Sequence, residues 1–335
     1  MFGSVARRRP ADVDGGTIGL GEEIAPSSKP RNRIGVALGG GAARGWAHIG
    51  ILRALDEEGL APDIVAGTSI GAVVGGSYVA GILDRVEAFA RGLTKRRVFS
   101  LLDINIAGSG LISGSRLTQL LVNHLADKRL QDLPRRFVCV ATELATGHEI
   151  WMSRGNMVDA MRASYALPGI FQPVKVGGRW LVDGALVNPV PVSVCRALGA
   201  DIVIAVNLNS DIFGHGTIVQ DHSADPIADQ AIDEVPSGVV VSGEDARKIL
   251  RRQLIGGNDG PPGISSVMIE AFNIIQDRIV RSRLAGDPPD ISINPKLGRI
   301  GLFEFHRADE AIEVGYDIGR RMVGEIKHVV AELAA

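Results

Sequence analysis

The strongest constraint on this chain is a unit that occurs twice early in its sequence. A short apolar run ends in a glycine turn, and a segment of helical period follows. Ile34–Leu38 (IGVAL) is the first run and ends in Gly39-Gly40-Gly41. Residues 46–59, WAHIGILRALDEEG, then place Ile49, Leu52 and Leu55 on one helical face, with Gly59 as a stop signal. Residues 64–66 form the second run and lead through Gly67-Thr68-Ser69-Ile70-Gly71 into an apolar helix. Strands apolar on both faces, each followed by a helix, are the mark of βαβ units around a buried parallel sheet. The expected fold class is therefore α/β with a largely parallel central sheet.

Later segments fit this scheme. Residues 115–125 read as a helix and 137–144 as a β-branched strand, with 148–154 as a hairpin partner. The stretch 174–182 (VKVGGRWLV) reads as a Gly-Gly hairpin running into Asp183-Gly184-Ala185. A helix over residues 190–200 is closed by Gly199, and residues 202–208 form a further central strand. Residues 1–32, rich in Gly, Pro, Ser and charge, read as a disordered N-terminal arm. Residues 210–263 hold nine acids and four bases among dispersed Gly, Pro and Ser. They read as a mobile acidic insertion with one short helix near 244–254. The expected organisation is thus a catalytic core over 33–209, that insertion, and a C-terminal helical part of the same domain over 264–335. Two apolar stripes, Val267, Ala271, Ile274, Ile275 and Ile279, then Ile318, Met322, Ile326 and Val330, are expected to pack on the core, with a lipid-facing surface as the alternative reading of either.

Composition excludes several functions. Lys and Arg total 36 against 38 acids, and only 4% of residues are aromatic. Neither a field nor stacking platforms for nucleic acid are present. The two cysteines, Cys139 and Cys195, lie in apolar stretches and read as buried thiols of a reducing compartment. The N-terminus has Arg7-Arg8-Arg9 without an apolar segment behind it, so no signal peptide is expected. Residues 64–83 contain no charge and have the length of a membrane span, with Gly71 and Gly75 at small-xxx-small spacing. The turn near their start favours a buried strand and helix, so a cytoplasmic protein without a transmembrane span is expected.

Gly67-Thr68-Ser69-Ile70-Gly71 matches G-x-S-x-G between a strand and a helix. A sharp turn there lifts the Ser69 hydroxyl out of the sheet, and the flanking glycines let the backbone pass. The earlier loop, Gly39, Gly40, Gly41, Ala42, Ala43, Arg44 and Gly45, also lies between strand and helix. Its small residues suit either an oxyanion hole or a phosphate cradle, although Arg44 stands where a third dinucleotide-binding glycine belongs. Ser69 needs a base. Asp183, at a strand end before Gly184, suits that role, and an ordinary turn aspartate is the plainer alternative. No His, Cys and carboxylate cluster has metal-ligand spacing, so neither a metal nor another cofactor is expected.

Taken in order, LGGGAARGWAHIGILRAL, GTSIGA and DGALVNPVP resemble the patatin-like phospholipases, above all bacterial members and the catalytic domain of neuropathy target esterase. The resemblance covers about residues 33–208, and segments 274–290 and 301–321 also resemble bacterial members. It implies a three-layer α/β/α sandwich and a Ser–Asp dyad without histidine. Ser69 would be the nucleophile and Asp183 of the D-G-A motif (Asp183, Gly184, Ala185) the base. Gly40, Gly41 and Ala42 would lie in the oxyanion loop, with Arg44 anchoring it or approaching an anionic substrate. Ala42 stands where the family commonly has glycine. The implied substrates are phospholipid, lysophospholipid or another fatty-acyl ester, reached by transient contact with a membrane surface. Three rivals stay open: a triad using His306 or His328, a nucleotide-binding regulatory module, and an acyltransferase.

Overall fold

The computed structural model describes residues 32–96, 115–211 and 264–334. The strands are β1 (Ile34–Leu38), β2 (Ile64–Thr68), β3 (Arg136–Glu143), β4 (Glu149–Met152), β5 (Val174–Val176), β6 (Arg179–Asp183), β7 (Ile202–Val206) and β8 (Ile291–Ile293). They form one sheet hydrogen-bonded in the order β5-β6-β3-β2-β1-β7-β8, with β4 also paired to β3. Pairings among β3, β2, β1, β7 and β8 are parallel. Those of β4, β5 and β6 are antiparallel.

The helices are α1 (Ala47–Glu57), α2 (Ile70–Val79), α3 (Leu83–Arg91), α4 (Ser115–Leu125), α5 (Met157–Ser164), α6 (Val192–Ala197), α7 (Ile264–Gly286) and α8 (Ala308–Ala334). Apolar side chains of α1, α2, α5 and α8 share one cluster with the sheet. On the opposite face Val192, Val194, Cys195 and Val280 of α6 and α7 pack on Ala37, Ile64, Ala66 and Val203. The architecture is a three-layer α/β/α sandwich. This double cover explains why every residue of β1, β2 and β7 is buried.

The register around β3 positions the site. Cys139 and Val140 pair with β2 and with β4, so those two strands occupy opposite edges of β3. Ala141 pairs with Ile150 of β4 and with Asp183 of β6, so β6 lies on the edge that β2 has just left. β2 ends at Thr68 opposite Val140, and β6 arrives from the other direction to end at Asp183 opposite Ala141. Two strands far apart in sequence thereby meet end to end.

Residues 64–83, uncharged and of spanning length, divide into β2, the turn and α2. Among the described residues no helix is long and apolar enough to cross a membrane. The N-terminal arm, apart from its last residue, and the helix expected near 244–254 lie outside the described residues, as does nearly all of the acidic insertion. The C-terminal part carries a strand, β8, as well as helices. The stripe of α8 packs as expected: Ile326 is buried, and Ile318, Met322 and Val330 are half-buried against the core. The stripe of α7 does not. Val267, Ile274 and Ile275 are exposed, while Asn273, Gln276, Asp277 and Val280 face inward.

Candidate active site

Ser69 stands between β2 and α2 with φ 57° and ψ −125°. It is one of two non-glycine residues of positive φ among the described residues; the other is Ala42, at 47°. The glycines around Ser69 are there for close approach. A Cβ on Gly71 would lie 2.2 Å from Leu38 O, and one on Gly67 would lie 2.5 Å from Gly71 O. Either methyl group would push α2 off the end of the sheet. The turn is braced on its far side by Ser164, whose Oγ accepts from Ser69 N–H at 3.0 Å and donates to Val140 O at 2.6 Å.

Asp183 arrives at the end of β6, on the register just described. Its Oδ2 accepts from Ser69 Oγ at 2.6 Å, and its Oδ1 accepts from Ala185 N–H at 2.9 Å. Its backbone is held too, with the carbonyl taking the Thr142 hydroxyl at 2.9 Å. The residue is 1% exposed. Removal from water pushes its carboxyl pKa up to about 7, and the Ser69 and Ala185 hydrogen bonds only partly oppose that rise. Gly184 must be glycine, because a Cβ there would lie 2.3 Å from Val140 O. Ala185 places its methyl beside Gly40, within 3.5 Å of where a Cβ of that glycine would be.

The glycine loop rises from β1 toward Ser69. Gly39 N–H bonds Val206 O and Gly40 N–H bonds Pro189 O. The N–H groups of Gly41 and Ala42 make no hydrogen bond among the described residues. The position that a Gly40 Cβ would take is 3.4 Å from the Ser69 Cβ. Gly45 lets the loop pass Ile70, whose side chain would lie 2.1 Å from an added Cβ. Arg44 is an anchor: 5% exposed, it donates through Nε to Ile300 O at 2.8 Å and through Nη1 to Asn209 Oδ1 at 3.2 Å. Burial depresses its pKa, opposed by the charges of Asp211 and Glu270. His48 is fully buried with Nε2 2.8 Å from Gly39 O. Burial lowers its pKa to about 4, so the ring is neutral and Nε2–H is the donor to that carbonyl.

The residues with these contacts match a known family. The model of the patatin-like phospholipases matches residues 36–196. An NTE family protein of Mycobacterium tuberculosis, uncharacterised, is 33% identical over 331 residues, 87% of this chain and 91% of that protein. This chain belongs to the patatin-like phospholipase family, on its NTE-like branch. A second uncharacterised NTE family protein from that species is 30% identical over 313 residues, covering 91% of this chain and 48% of its own length. The lysophospholipase nte1 of Emericella nidulans is 28% identical over 301 residues, 88% of this chain and 18% of that much longer protein.

In this patatin-like protein the fold brings Ser69, Asp183, Ala185 and the glycine loop to one edge of the sheet. Neither late histidine is hydrogen-bonded to the Ser69–Asp183 pair among the described residues. His328 pairs with Glu332 at 3.2 Å on an exposed turn of α8, and His306 sits in the short turn Phe305–Arg307. No histidine hydrogen-bonds to Ser69 or Asp183 among the described residues. Sequence reasoning missed Ser164, Thr142 and Asn209. Asn156, whose side chain caps α5 by accepting from Asp159 N–H at 3.1 Å, marks the start of the helix that carries Ser164. Nothing local marks Ser164 itself.

Proposed function

We propose that this protein hydrolyses a lipid ester of the phospholipid or lysophospholipid class, with Ser69 as nucleophile and Asp183 as general base. The observation that carries the reading is the 2.6 Å hydrogen bond from Ser69 Oγ to a buried carboxylate. That carboxyl's pKa, raised to about 7, suits a base working near neutrality. Asp183 takes the Oγ proton as Ser69 attacks the ester carbonyl carbon. The N–H groups of Gly41 and Ala42, without partners among the described residues, are the donors for the oxyanion; Gly40 is tied to Pro189 O and serves as spacing. Collapse of the tetrahedral intermediate expels the alcohol, which leaves with the proton from Asp183. Water then attacks the acyl-serine, giving one proton to Asp183, and the fatty acid departs as that proton returns to Ser69 Oγ. None of these steps calls on a metal. Substrates that reside in bilayers imply transient contact with a membrane surface.

The test is fatty-acid release from lysophosphatidylcholine and from a soluble nitrophenyl butyrate. Ser69→Ala and Asp183→Asn should each lower kcat/KM by about a thousandfold or more while the fold is retained. The wild-type kcat/KM should climb with an inflection near pH 7 and level off above it, since only the ionised carboxylate accepts the proton. Turnover that survives Ser69→Ala would overturn the assignment.

A further inference from the structure

The face of α7 that turns away from the core is apolar where soluble helices are polar. Val267, Met268, Ile274 and Ile275 are 50%, 60%, 45% and 51% exposed. With Ala271, also exposed, they fill an arc of about 120° at 100° per residue. That arc lies opposite Asn273, Gln276, Asp277 and Val280, which are buried. The single acid in residues 264–275, Glu270, accepts from Asn273 Nδ2, on the buried side. Arg278 is exposed on the apolar arc one turn further along, and makes no ion pair among the described residues.

The position of this face follows from geometry. α7 precedes β8, which runs parallel to β7, and Asp290 N–H bonds Val203 O near the start of β7. The C-terminal end of α7 therefore lies at the amino edge of the sheet. Gln276 lies within 3.5 Å of Asn209 Nδ2, at the carboxyl edge where Ser69 sits, and that same Nδ2 is 3.4 Å from Gly40 O. The ten or so residues after Gln276 span about 15 Å, the length of the five-residue strand β7. Residues 264–275 therefore run about 18 Å beyond the sheet, on the side where the catalytic serine opens.

We propose that this overhanging face of α7 docks the protein on an anionic lipid surface, with Val267, Met268, Ile274 and Ile275 entering the headgroup boundary and Arg278 meeting the headgroups. An apolar helical face bordered by a cation that has no ion pair among the described residues is what such a surface selects. The inference rests on the lipid-ester reading above for its choice of occupant.

The test uses the full chain with Ile275→Glu and, separately, Met268→Glu, which lie on different turns. Co-sedimentation with phosphatidylcholine vesicles containing phosphatidylglycerol should weaken by about tenfold in each, because an isoleucine or methionine withdrawn from water is worth a factor of that order. Melting temperature and turnover of the soluble nitrophenyl ester should stay at wild-type values. Unchanged vesicle binding in both variants, or a wild type that binds no vesicle, would overturn the docking assignment. So would a fall in melting temperature in both variants, which would mean that the face packs on the chain itself. Loss of a dimer in sedimentation velocity with vesicle binding intact would assign the face to a second copy. Weakened vesicle binding in a protein that hydrolyses no ester would leave the docking face standing and remove the hydrolase reading.

Discussion

Ser69 carries its hydroxyl at a cost: φ 57° is a conformation that L side chains avoid, worth on the order of 1–3 kcal/mol of strain. Ser164 is part of what holds it. Its Oγ accepts from the Ser69 amide and donates to Val140 O, and no water reaches it, since it is fully buried. Ser164→Ala leaves the Ser69 N–H and Val140 O without these partners, a loss of about 1–3 kcal/mol in stability. Because the elbow then wanders, kcat should fall by roughly tenfold with KM little changed. Steady-state kinetics on the soluble ester, alongside urea unfolding, checks both halves. A variant with wild-type kcat and lowered stability would reduce Ser164 to a packing residue.

The two long C-terminal helices show what an apolar stripe does and does not determine. α8 crosses α1 with backbones in contact. A Cβ on Gly315 would lie 2.1 Å from Ala47 O, and one on Gly50 would lie 2.0 Å from Ile312 O. Gly315→Ala must therefore pry the helices apart, and unfolding free energy should drop by about 1–3 kcal/mol in urea titration. Gly324→Ala, on the same helix with open space at its Cβ, should not destabilise and serves as the control. The stripe of α8 finds α1 and the core beneath it. The stripe of α7 has the same helical period but lies on the exposed side of its helix, opposite the buried Asn273, Gln276 and Asp277. That buried side is polar, with Gln276 near Asn209 and Asp277 paired to Arg281 of the same helix. Periodicity located both helices, but their surroundings decided which side is covered.

For the whole molecule, the buried carboxyl proposed as the base is a burden on folding. The folded Asp183 carboxyl keeps its proton up to about pH 7, whereas an unfolded one loses it near pH 4. Between those values the folded state binds more protons, so this residue's contribution to stability declines as pH rises and then levels above pH 7. Asp183→Asn removes the buried charge. Its stability relative to wild type should grow by about 2–3 kcal/mol from pH 5 to pH 8, measured by urea unfolding at each pH. A difference independent of pH would mean that the carboxylate is not desolvated in solution.

The same residue marks the limit of what the chain's sequence determined. Apolar runs, glycine turns and helical periods are local, and each records its own neighbourhood. They determined the α/β class with its largely parallel sheet, the elbow at Ser69, and the glycine loop on the neighbouring strand. They also marked Asp183 as a strand-end acid suited to serve Ser69, with an ordinary turn aspartate as the plainer alternative, and the family resemblance favoured the pairing. The meeting itself is tertiary. Ser69 and Asp183 are 114 residues apart and touch because β2 leaves the edge of β3 one residue before β6 ends on it. Register between distant strands, the bracing by Ser164, and the exposure of α7 depend on which surfaces are brought together. Those are set by packing across the whole sheet, and no stretch of sequence contains them.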